Sequence, residues 1–96
     1  MESETIPFHR LADILYGQLR PDDQVAVKEF VAKASRITPA EWPSNGIQKV
    51  KSDSTLYLGK AGENICVILQ TPPGERPIVR DIFPREGLAF YRKYAV

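Results

Sequence analysis

Ile65-Cys66-Val67-Ile68-Leu69 is the stretch that decides the fold. Five apolar residues in a row leave no polar face for water, the pattern of a central strand buried on both sides. Ala61-Gly62-Glu63-Asn64, just before it, reads as a hairpin turn, and Pro72-Pro73-Gly74-Glu75, just after it, as a second hairpin connection. A strand held between two tight connections has antiparallel neighbours. On one side Thr55 to Gly59 is a short β-like run. Beyond it Ile47 to Lys51 alternates, with Ile47, Lys49 and Lys51 on one face and Gln48 and Val50 on the other. On the other side Ile78 to Phe83 is the next strand, and Pro84 suits the first position of a closing helix.

The first third of the chain is helical. Phe8, Leu11, Ala12, Leu15 and Leu19 recur at the spacing of one helix face, which predicts a helix over 8–19, weakened near its end by Gly17. Arg20-Pro21-Asp22-Asp23 restarts the chain, with proline at the first helical position and two carboxylates at the positive end of the dipole. Val27, Phe30, Val31 and Ala34 mark the apolar face of this second helix, over 21–35. Thr38-Pro39-Ala40-Glu41 has the form of a capping box for a single turn. The sum is an α+β domain. An N-terminal helical hairpin packs on one face of a three- to four-stranded antiparallel meander, and a C-terminal helix closes the chain.

Ninety-six residues make one domain, 1–96. A formal net charge of +1 gives the whole molecule little field for a polyanion and leaves only a local patch to serve one. The single cysteine excludes an internal disulfide and fits a reducing compartment. No apolar run reaches the ~18 residues of a membrane span. The acidic start Met1-Glu2-Ser3-Glu4 lacks the basic and apolar regions of a signal peptide. The expectation is a cytoplasmic protein. One histidine, one cysteine and scattered carboxylates offer no metal spacing, and no cofactor motif is present.

Cations gather late. From Ile78 to Tyr94 an apolar strand runs into the closing helix past Arg80, Arg85, Arg92 and Lys93, with Tyr91 and Tyr94 among them. A helix start carrying arginine suits a phosphate. Lys49 and Lys51 share a strand face and fit phosphate contacts, or equally serve as solubilising charges on an edge strand. Arg85 reads either as an anion site or as a surface charge beside Glu86 and Asp81, and Tyr91 either as a site residue or as a ring packed beside Leu88. Cys66, in the middle of its strand, reads as a small core residue. His9 has no sequence feature that brings it to Cys66. Gly59-Lys60-Ala61-Gly62 lacks the form of a phosphate-cradling loop.

The helical hairpin, the meander, and Arg85 followed six residues later by Tyr91 resemble the RelE/ParE superfamily of toxins from toxin–antitoxin systems, over roughly residues 8 to 94. In the RelE branch the resemblance implies a metal-independent endoribonuclease that cuts mRNA on the ribosome and is held by a cognate antitoxin. Arg85 would then stabilise charge on the scissile phosphate and Tyr91 would exchange a proton with the attacking ribose hydroxyl. Arg80, Lys49, Lys51, Arg92 and Lys93 would contact the nucleic acid. The family pattern also puts a cation on the second strand, where this chain has Thr55, Leu56, Tyr57 and Leu58, and another near the position of Ile65. A second reading therefore stands beside the first: a non-catalytic protein-interaction module on the same fold, including a ParE-like inhibitor that acts on DNA gyrase by binding.

Overall fold

The computed structural model describes residues 6–90, and the side chains of 6–87. Two helices, α1 (Arg10–Gly17) and α2 (Pro21–Ser35), precede two 3-10 turns at Pro39–Glu41 and Pro43–Asn45. Four strands follow: β1 (Gln48–Lys49), β2 (Leu56–Ala61), β3 (Ile65–Gln70) and β4 (Ile78–Pro84). They form one antiparallel sheet in the order β1-β2-β3-β4. The α+β meander with helices on one face is as the sequence indicates.

α1 is shorter than the periodicity predicts. Phe8 is extended and bridges Val79 in parallel, with His9 N–H donating to the Val79 carbonyl and Val79 N–H to the Pro7 carbonyl, both at 2.8 Å. The helix then starts at His9, whose Nδ1 accepts from the Leu11 amide at 3.2 Å. Because Phe8 is off the helix, the inward stripe centres on Ala12, Leu15, Tyr16 and Leu19. Leu11, expected on that face, is 52% exposed. Tyr16 joins the stripe through an edge-on contact with Phe8, ring centres 5.6 Å apart.

α2 begins at Pro21 with Asp22 and Asp23 in its first turn, and it buries Val27, Val31 and Ala34. Phe30 lies over Gly59 of β2, where a Cβ would collide with the Phe30 ring. Gly59 is thus the seat that lets α2 approach the sheet. Ser35 links two elements: its hydroxyl donates to the Val31 carbonyl and accepts from the Ile6 amide. At the next turn the Glu41 carboxylate accepts from the Thr38 amide at 2.9 Å, as the sequence pattern suggests. Trp42 is fully buried, donates to the Ala34 carbonyl at 3.2 Å and meets Tyr57 edge-on at 5.0 Å. It joins the end of α2 to the sheet.

β3 is buried along Ile65–Leu69 and lies between β2 and β4, as its unbroken apolar run demands. Ile65, Val67 and Leu69 join the helix-side core with Tyr57, Ala61, Val79 and Ile82. Cys66 and Ile68 join a second cluster with Val50, Leu58 and Phe83. β1 is a two-residue strand rather than the five expected. Ile47 and Val50 flank it, buried on opposite faces, while Lys51 has already left the ladder. The exit is set by Asp53, whose carboxylate accepts from both the amide and hydroxyl of Thr55. In β4 the register slips between Ile68 and Leu69, so that Val79 pairs with Leu69 and Asp81 with Ile68. Arg80 is the extra residue of a β-bulge.

The start of the closing segment, at Pro84, departs from expectation. Pro84 still pairs with Ile65 as the last residue of β4, and Arg85–Phe90 is a 3-10 turn. The rest of the closing helix expected from sequence lies outside the described residues. Among the described residues no helix is long and apolar enough to cross a membrane.

Candidate functional site

Arg85 is fixed by its backbone. Its amide donates to the Asn64 carbonyl at 2.7 Å, which ties the end of β4 to the β2–β3 turn. That turn needs Gly62, at φ 65°, to reverse the chain. The Arg85 guanidinium lies exposed and reaches the Glu63 carbonyl at 3.4 Å.

A second cation sits at the same end. β2 runs to Ala61, so it includes Lys60, which is exposed and directly opposite Cys66. Burial pushes the Cys66 thiol up from its ordinary value, and the positive charges of Lys60 and Arg85 act against that rise. Lys60 and Arg85 therefore lie at the same end of the sheet, on β2 and just beyond β4. Cys66 itself is fully buried and stays a core residue.

The other sequence candidates do not gather there. Arg80 is exposed at the bulge, five residues back along β4, or about 16 Å at strand spacing. Lys49 pairs with Tyr57, which pairs with Leu69, which pairs with Val79, so it stands three strands from β4. Three spacings amount to about 14 Å, and its ammonium lies 5.9 Å over the Tyr57 ring, on the helix side. Lys51 is exposed beyond the end of β1. The register thus holds Arg80 and Lys49 apart from Arg85. Tyr91, Arg92 and Lys93 lie outside the described residues.

Sequence alone ends the second strand at Gly59, which leaves Lys60 off it, whereas β2 runs to Ala61. The signal was present: a turn centred on Glu63 sets Lys60 opposite Cys66. Among the described residues no group of three His, Cys, Asp or Glu side chains is placed to hold a metal ion. Compared with known proteins, the chain gives no significant match to a family model, a curated protein or a solved structure.

Proposed function

We propose that this chain is a toxin-like protein of the RelE/ParE kind and acts as a metal-independent endoribonuclease on mRNA at the ribosome. The observation that carries the reading is that Lys60 of β2 and Arg85, just after β4, lie at the same end of the sheet. Lys60 lies on the second strand, where the family pattern has a cation. In this reading Arg85 and Lys60 neutralise charge that develops on the scissile phosphate. Tyr91, assigned by the resemblance, exchanges a proton with the attacking 2′-hydroxyl. A cognate antitoxin would hold the toxin inactive, and the site of action would be cytoplasmic.

The test is induced expression together with purified protein added to translating ribosomes. Wild type is expected to arrest growth and cut mRNA. Arg85→Ala and Lys60→Ala should each relieve the arrest, with a loss of cleavage of about 10²- to 10³-fold for an essential charge-stabilising group. A harmless wild type that leaves mRNA intact overturns the reading.

A second reading has its own observation. Leu11, Ile14 and Val25 of the helical hairpin are 52%, 51% and 56% exposed. Aliphatic side chains so exposed on two helices suit a protein-binding surface. On that reading the chain is a non-catalytic interaction module. A specific partner is then captured by wild type and lost by Leu11→Lys, with mRNA untouched.

A further inference from the structure

At the sheet end where Arg85 sits, the α1–α2 joint and the β2–β3 turn leave between them a cleft of about 360 Å³. Its walls include Leu19, Ile65 and Pro84, apolar groups that suit the flat faces of a ring. Its rim carries Arg20, Asp23, Asn64 and Glu86. None of these four side chains makes a hydrogen bond or ion pair with another described residue. Two carboxylates against one guanidinium disfavour a phosphate inside the cleft. The same balance favours a neutral ring that presents N–H donors next to an acceptor. The volume falls in the range of small-molecule sites.

Among the RNA bases, guanine has that edge. Its N1–H and N2–H₂ are adjacent donors that one carboxylate can accept together, and O6 beside them accepts from a guanidinium. Adenine offers an acceptor at N1, and cytosine one at N3, where guanine has a donor. Uracil has a single N–H between two acceptors. Of the two carboxylates, Asp23 is half-buried on the first turn of α2, whereas Glu86 is exposed on the 3-10 turn. The helix-borne group is the better fixed. Pro84 and Glu86, which line the cleft, are the chain neighbours of Arg85.

We propose that this cleft takes a guanine base of the RNA strand, with Asp23 accepting from N1–H and N2–H₂ and Arg20 donating to O6. The assignment rests on the reading of the chain as an RNA-cleaving toxin, and it adds base preference to that reading. RNA base edges are read this way when a base is unstacked and held in a pocket.

The experiment is titration of the ¹⁵N-labelled full chain with GMP and, separately, AMP, CMP and UMP, following the amides of Leu19, Asp23, Asn64 and Ile65. GMP is expected to move these amides and to bind at least about fivefold more tightly than the other three. Asp23→Asn, checked for an unchanged melting curve, should erase the preference, and Glu86→Gln should keep it. If Asp23→Asn does not fold, Arg20→Met should weaken GMP by a similar factor. Equal binding of all four nucleotides, no response to any of them, or a guanine preference that survives loss of Asp23 overturns the assignment. Guanine preference without mRNA cleavage removes the ribonuclease reading and leaves the cleft. Cleavage without base preference does the reverse.

Discussion

The Arg85 amide donates to the Asn64 carbonyl at 2.7 Å, so the position of Arg85 is held by main chain and not by its own side chain. The guanidinium adds only a 3.4 Å contact at the surface. Arg85→Ala should therefore keep the fold, with stability changed by no more than about 0.5 kcal/mol. Matched urea melts check this. A much larger loss would mean that the side chain is structural and would disqualify Arg85→Ala as a probe of activity.

Gly59 is predicted to tolerate no side chain. Gly59→Ala drives a methyl into the Phe30 ring, and overpacking of this kind costs about 1–3 kcal/mol. Phe30→Ala alone should also destabilise. The double variant should be more stable than the sum of the two losses, because the added methyl then enters vacated space. Additive losses in a double-mutant cycle would argue that the ring simply swings aside.

Cys66 carries a pH dependence of definite sign. Its folded-state thiol titrates above the ordinary value of 9.0, so the folded chain keeps a proton that the unfolded chain loses. The stabilisation is complete below about pH 9 and is lost as pH rises through the folded value. Wild type should weaken between pH 8 and pH 10 more than Cys66→Ala does, in denaturant titrations at both pH values. Cys66→Ser should cost about 1–3 kcal/mol at neutral pH by burying a hydroxyl without a provided partner. Rapid modification of the native thiol by a water-soluble reagent would contradict its burial.

β3 should be the most protected element. Ile65 to Leu69 is buried throughout and paired on both sides, whereas β1 has two exposed residues. Amide exchange at 65–69 should be slower than at Gln48 and Lys49. Ile68→Ala should cost about 2–5 kcal/mol by opening a cavity. Faster exchange in β3 than in β1 would overturn this order.

The legible parts of the fold were those where one local rule acted alone. The unbroken run Ile65–Leu69 could only be central, and Pro21 with two aspartates could only start a helix. The errors arose where tertiary pairing competed. Phe8 has helical spacing, yet Val79 takes it into the sheet. Lys51 alternates correctly, yet the Asp53–Thr55 turn has already claimed the chain. Trp42 had no periodic neighbours to mark it, although it joins α2 to β2. At the site, Arg85 was visible in the sequence. Lys60 is hidden because the second strand reads as ending at Gly59 whereas it runs to Ala61, and only strand order shows how far Lys49 stands from β4.

The bulge at Arg80 changes the parity of its strand. Val79 and Ile82 both belong to the helix-side core although they are three positions apart, an odd interval that a regular strand forbids. Removing residue 80 from the count restores strict alternation: Val79 inward, Asp81 outward, Ile82 inward, Phe83 outward. Position 80 is thus an interpolated letter, owned by neither core. Its side chain can change in size or charge without asking any packed neighbour to move, which leaves the middle of β4 open to new surface chemistry while the fold stays the same.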